Sequence, residues 1–260
     1  MKNFGLASYT LASREIIRFL RQRNRVMGAL GQPLLFWLFL GFGLKSTFNI
    51  QGASINYVQF FFPGVINLIL LFTAIFSTFS LIEDRNEGFL QGVLVSPAPR
   101  ASIVFGKVLG GSLIALLHAS IFLIFTPFID LSLSALYIAA LLGVMLLTGI
   151  ALTSFGFCLA WKMDSTQGFH AIMMLVLLPL WFLSGAFYPA TGLTPALRWL
   201  MMLNPLTYAV DATKHILFKN FESATLDLPT FTFCLLVILC FGLFVFALSL
   251  FFVSKKNKRR

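Results

Sequence analysis

Six long stretches of the chain are almost purely apolar, and the polar residues gather in the segments between them. The stretches cover about 28-45, 58-82, 101-127, 133-161, 169-188 and 229-253. A helix needs about 20 predominantly apolar residues to cross a bilayer, and the hydrocarbon interior leaves no unpaired backbone group tolerable outside a helix or a closed barrel. The pattern therefore predicts an all-α integral membrane protein with six transmembrane helices, forming a single transmembrane domain over 1-260. The fourth stretch is long enough to tilt. Pro33 and Pro179 fall inside spans and predict kinks. Gly106 and Gly110 form a small-xxx-small pair of the kind that permits close helix contact.

Three segments outside the spans carry patterns of their own. Over 6-25, Arg14, Arg18, Arg21 and Arg25 fall on one stripe at helical spacing, and Leu6, Tyr9, Ala12, Ile16, Ile17, Phe19 and Leu20 cover the other side. Only Arg23 breaks the division. This predicts an interfacial helix with its cations toward lipid headgroups. Between the second and third spans, Glu83-Asp84-Arg85-Asn86-Glu87-Gly88 opens a short apolar helical piece that Ser96-Pro97 stops. Between the fifth and sixth, residues 189-228 hold two apolar pieces, Leu193-Leu203 and Tyr208-Phe218, broken at Asn204-Pro205. Both are too short to span, so they are expected to dip into the membrane as re-entrant helices or to lie on it.

Composition agrees with the pattern. The chain is 58% hydrophobic and 11% charged, where a soluble domain is about half apolar and a quarter charged. A formal net charge of +10 would suggest nucleic acid in a soluble protein. Here it reports orientation, because short cytoplasmic loops retain Lys and Arg, and no nucleic-acid partner is expected. With the N-terminus inside, 15 of the 19 Lys/Arg lie on the cytoplasmic side and 4 (Lys45, Arg198, Lys214, Lys219) lie outside. Both termini are therefore expected in the cytoplasm. The first 25 residues have six Lys/Arg and no apolar core, which does not fit a cleavable signal peptide. Cys158, Cys234 and Cys240 lie in apolar segments without ligand spacing and read as small hydrophobes.

Catalytic constellations are missing from the sequence. His118, His170 and His215 are far apart and have no carboxylates at ligand spacing; there is no HExxH and no GxSxG. His118, inside the third span, reads as a polar contact to a neighbouring helix. Gly106-Lys107 is followed by Val108, so there is no P-loop. The chain is expected to be no enzyme and to bind no cofactor or metal of its own. Carboxylates deep in the spans, which ion-coupled carriers typically keep, are nearly absent. That counts against an ion-gradient-driven secondary transporter, the alternative reading, though sodium can also be bound by backbone carbonyls. A membrane assembly subunit without a transport role is a third.

Two stretches carry a family resemblance. Asp84-Arg85-Asn86-Glu87-Gly88-Phe89-Leu90-Gln91-Gly92-Val93-Leu94-Val95-Ser96-Pro97 resembles the "E-R-E-x-G-T-L-E-x-L-L-V-S-P" region of the type-2 ABC exporter permeases, and departs from it at Phe89 and Gly92. Asn204-Pro205-Leu206-Thr207-Tyr208 resembles that family's second motif, preceded by Phe182-Leu183-Ser184-Gly185-Ala186-Phe187-Tyr188-Pro189. The resemblance covers the whole chain in layout and these stretches in detail. It implies an ATPase-coupling site at Glu83, Asp84, Arg85, Glu87, Gly88, Leu90, Leu94, Ser96 and Pro97. It also implies an external re-entrant motif at Gly185, Pro189, Asn204, Pro205, Tyr208 and Asp211. The implied function is the permease subunit of an ATP-driven exporter in a bacterial inner membrane. Its substrate would be amphiphilic, lipid-linked, polysaccharide or drug-like. Its partners would be two ABC ATPase subunits carrying ATP and Mg, a second permease copy as a homodimer, and membrane lipid.

Overall fold

The computed structural model describes residues 2–44, 56–131, 133–188, 193–218 and 229–255, and all regular structure among them is helical. In chain order the helices are α1 (Lys2–Arg21), α2 (Arg23–Phe36, widening into a π-helical stretch Trp37–Phe42) and α3 (Tyr57–Ser77). There follow α4 (Phe79–Asn86), α5 (Phe89–Val95), α6 (Ala101–Phe122, tightening to 3-10 over Leu123–Ile129) and α7 (Ala135–Trp161). The chain closes with α8 (Thr166–Phe182), α9 (Pro195–Leu203), α10 (Pro205–Leu217) and α11 (Phe231–Ser254).

The α3–α4 rod is the axis of the molecule. Its most apolar window is 94% buried, and α2, α6, α7, α8 and α10 all pack on it. The apolar residues run all round α3, as burial on every face requires. Asn56 starts it with a reciprocal capping box: its side chain accepts from Gln59 N, and the Gln59 side chain accepts from Asn56 N. Trp37 wedges the π-helical stretch against α3 and α6, with ring centroids 5.7 Å from Phe62 and 5.3 Å from Phe122. On the far side α11 rests on α7, where Ser249 Oγ donates to Ser154 O at 3.2 Å and lies 3.1 Å from Cys158 Sγ. Only 28% of the most apolar window of α11 is buried. The rest is fit for lipid, since apolar surface is at no disadvantage there.

Among the described residues, four helical rods are long and apolar enough to cross a membrane: Tyr57–Asn86, Ala101–Ile129, Ala135–Trp161 and Phe231–Ser254. They correspond to the stretches 58-82, 101-127, 133-161 and 229-253. A fifth arises if α1 and α2, bent by 67° to each other, are taken as one broken span. The span expected at 28-45 falls on α2 and its π-helical extension, with Pro33 inside α2; Lys45 lies outside the described residues. The span expected over 169-188 ends early. The helix is Thr166–Phe182, 17 residues, and the apolar run then folds back on itself because Gly185 takes φ +70°, a left-handed conformation glycine adopts without penalty.

The helix expected over 6-25 is two helices. Gln22 leaves the helical region at φ −89°, ψ 76°, so Arg25 belongs to α2 and not to the α1 stripe. The apolar residues of α1 expected toward the membrane divide. Leu6, Tyr9, Ile17 and Leu20 are exposed, whereas Ala12 and Phe19 join Ser8, Leu11 and Glu15 on a buried face. This face lies along α6, the most extensive helix pair among the described residues. Gly106 and Gly110 make the approach possible: a Cβ at Gly106 would lie 2.5 Å from Leu11 Cβ, and one at Gly110 2.8 Å from Glu15 Cβ. The small-xxx-small pair is thus the bed of α1.

Candidate functional site

One cluster forms where α4 ends. The Asp84 carboxylate, fully buried, takes Arg14 in a forked pair, Nη1 to Oδ2 at 2.9 Å and Nη2 to Oδ1 at 2.7 Å. Arg18 Nη1 donates to the same Oδ1 at 2.6 Å, and Lys107 Nζ donates to Oδ2. Lys107, itself buried, also reaches Glu15 Oε1 at 2.6 Å and Ser80 Oγ at 3.0 Å; Ser80 Oγ donates to Glu15 Oε2. Arg18 Nη2 extends the cluster outward to Glu83 at 2.9 Å and Glu87 at 3.4 Å. Of the cations expected to face headgroups, Arg14 and Arg18 are therefore turned inward onto carboxylates, while Arg21 is exposed. Every buried charge here has an opposite partner, which burial demands.

Arg85 points the other way from the same helix. Its guanidinium donates to Met163 O at 2.8 Å and Trp161 O at 2.6 Å. Trp161 O ends α7, where a helix leaves acceptors unpaired and favours a cation, and Met163 O lies just beyond it. Asp84 and Arg85 together fix α4 between α6 and α7.

Beyond α4 the chain turns at Gly88, φ +79°, and starts α5 at an angle that a continuous helix could not take. Leu90 is buried, while Leu94 and Val93 pack partly on the core. Phe89, Gln91, Gly92 and Val95 face out, Val95 with 85% of its surface. Phe89, one of the two departures from the family pattern, lies under the Arg14 guanidinium at 3.8 Å, a cation–π contact. Ser96 stops the helix by turning extended and donating its hydroxyl to Val93 O at 2.7 Å; Pro97 follows, exposed.

A second cluster forms at the opposite end, where α9 and α10 meet. Asn204 Oδ1 accepts from Leu206 N at 3.0 Å, capping α10 ahead of Pro205. Its amide donates to Leu180 O at 2.6 Å. Thr207 Oγ1 donates to Met201 O and Tyr208 Oη to Met202 O, both at 2.8 Å. The motif residues thus satisfy backbone groups that the break between α9 and α10 would leave bare. On the inner face of α10, Lys214 Nζ donates to Gly185 O at 2.7 Å, lies 3.6 Å from Asp211 Oδ1, and sits over the Phe60 ring at 4.8 Å. Pro189 lies outside the described residues.

Sequence reasoning missed Glu15, Lys107 and Lys214 as site residues. Lys107 entered only as a counted charge and in excluding a P-loop, and Lys214 only as a counted charge. The available signal was a lysine next to Gly106 inside an apolar helix, which has to find a buried partner. His118 meets Thr73 Oγ1 at 3.3 Å and packs on Phe19, a contact between helices of the kind expected.

The chain is similar to several known permeases. It is 29% identical over 253 residues to "Putative transport permease ycf38" of Cyanophora paradoxa, covering 92% of this chain and 86% of that one. It is 26% identical over 228 residues to "Inner membrane transport permease YadH" of Escherichia coli K12, covering 83% and 84%. It is 27% identical over 187 residues to "Probable multidrug ABC transporter permease YbhR" of the same organism, covering 69% of this chain and 48% of that one. Residues 7–218 match the ABC-2 type transporter family. An all-α membrane chain with these two clusters, matched over most of its length, belongs to the ABC-2 type transporter family.

Proposed function

We propose that this chain is the permease subunit of an ATP-driven exporter, crossing a bacterial inner membrane six times with both termini in the cytoplasm. The observation that carries the reading is α5. It is a short helix turned out of the bundle at Gly88, presenting Phe89, Gln91 and Val95, and rooted through Asp84 and Arg85 in α6 and α7. Such a projection suits docking into a partner, and family membership makes that partner an ABC ATPase. With no P-loop here, ATP and Mg belong to that subunit. Two ATPases and two permease copies complete the assembly. The outward apolar face of α2, with Leu35 and Phe39 half or more exposed and no neighbour at Gly28 or Gly31, is the surface offered to the second copy. The substrate class is amphiphilic, lipid-linked, polysaccharide or drug-like, in line with relatives named for multidrug and general transport.

Co-expression with a P-loop ATPase tests this reading. The ATPase is expected to co-purify and its hydrolysis to change on association. Glu87→Lys, at a 60% exposed side chain, is expected to remove that change while the permease stays folded. Absence of any co-purifying ATPase would sink the reading, and a Glu87→Lys complex identical to the parent would remove α5 from it.

Orientation has its own expected result. In a background free of Cys158, Cys234 and Cys240, a cysteine at exposed Arg198 of α9 is expected to react with an impermeant thiol reagent added outside intact cells. One at exposed Gln91 of α5 is expected to react only after permeabilisation. The reverse pattern overturns the topology.

A further inference from the structure

Glu15 and Lys107 belong to neither motif, yet they join α1 to α6 at the heart of the buried cluster. We infer that they are positioning residues that hold α1, α4, α5 and α6 together as one body, which delivers a displacement of α5 to α2. The inference rests on the exporter reading.

Three observations carry it. First, α1 touches α5 directly, through Arg14 over Phe89 at 3.8 Å, and the turn before it, through Arg18 to Glu87 at 3.4 Å. A push on α5 therefore meets α1 as well as α4. Second, α1 packs closely along α6. Phe4 packs edge-on to Phe105 at 5.1 Å, Leu11 and Glu15 fill the notches at Gly106 and Gly110, and Phe19 lies on His118 at 5.4 Å. The contact runs nearly the whole of α1, about 30 Å at 1.5 Å per residue. Third, α1 passes into α2 through the single non-helical residue Gln22. A body that moves α1 thus moves the start of α2.

Apolar packing alone would let α1 slide or turn along α6. The Lys107–Glu15 bond at 2.6 Å, with Ser80 and Asp84 on the same ammonium, specifies one register. Buried ion pairs are poor sources of net stability but severe when one partner is lost, which suits a register lock.

Spin labels in the cysteine-free permease–ATPase complex test the inference, with nucleotide-free and ATP-plus-vanadate states as the two conditions. Labels at Tyr9 of α1 and Leu109 of α6, both exposed, are expected to keep one distance in both. Labels at Met27 of α2 and Leu243 of α11, also exposed, are expected to change distance. Lys107→Met is expected to abolish the second change while ATP hydrolysis continues, and Lys107→Arg to retain it. A nucleotide-dependent Tyr9–Leu109 distance overturns the inference in the parent protein alone, whatever the fate of the variants. So does an unchanged Met27–Leu243 distance, or one that still changes in Lys107→Met. Failure of any ATPase to co-purify would instead strike the exporter reading beneath it.

Discussion

Asp84→Ala is expected to be the most damaging single substitution in the chain, lowering stability by about 3–5 kcal/mol, the usual result of stripping one side from a buried ion pair. The carboxylate is fully buried and receives two donors from Arg14, one from Arg18 and one from Lys107. Without it three cations converge on an empty site, with Glu15 left to meet Lys107 and, at 3.4 Å, Arg14. Total stabilities run to about 5–15 kcal/mol, so the loss is a large share. Thermal unfolding of the purified permease in detergent measures it. Glu87→Ala is the control: its side chain is 60% exposed and its pair with Arg18 is long, so about 1 kcal/mol or less is expected. Equal melting of the two variants would mean that the cluster is not what holds α1 and α4 to α6.

Lys214→Met is the second large effect, and it depends on pH. Lys214 is buried on Gly185 O and near Asp211, which is itself buried. Burial pushes the Asp211 carboxyl above the usual carboxylate range even with the lysine beside it. Removing the ammonium leaves desolvation less opposed. A carboxyl whose folded value lies above its unfolded one folds without penalty when protonated, at low pH. The penalty grows as pH rises through the unfolded value and is complete above the folded one. The variant is therefore expected to lose about 3–5 kcal/mol at high pH and to recover toward the parent as pH falls toward the ordinary carboxylate range. Asp211→Asn combined with Lys214→Met removes the buried charge and is expected to flatten the profile. A loss in Lys214→Met that is the same at every pH would show that packing on Phe60 matters and the charge does not.

The helices themselves were readable from the apolar runs, because in hydrocarbon an apolar run has few alternatives to a helix. The breaks were readable where residues force them, at Gly88, Ser96-Pro97 and Asn204-Pro205. What α1 lies on was not readable. An amphipathic stripe says that a helix has two faces, not which medium each one meets. The buried face of α1 holds Glu15 and Ser8, while Leu6 and Tyr9 look out, because Gly106 and Gly110 sit a hundred residues away and shape the contact. Lys107 was hidden for a related reason. Counting charges by side treats a lysine near a span's end as solvated, and only the fold brings Glu15 to it. The early end of α8 at Phe182 was obscured because the residues after it stay apolar; only Gly185 marked the turn.

The unit formed by α9 and α10 closes its own accounts of backbone polarity. Met201 and Met202 carbonyls are met by Thr207 and Tyr208, and the Leu206 amide by Asn204. Few bonds leave the unit near its elbow, notably Asn204 to Leu180 O and the long contact of Thr207 to Leu183 O at 3.4 Å. The two halves of the unit then differ in what they can meet. Most of α9 is exposed, and with the break already paired it can lie against lipid or water without baring the elbow. The inner half, α10, is buried on α3, α7 and α11 and is the anchor that keeps α9 at its depth.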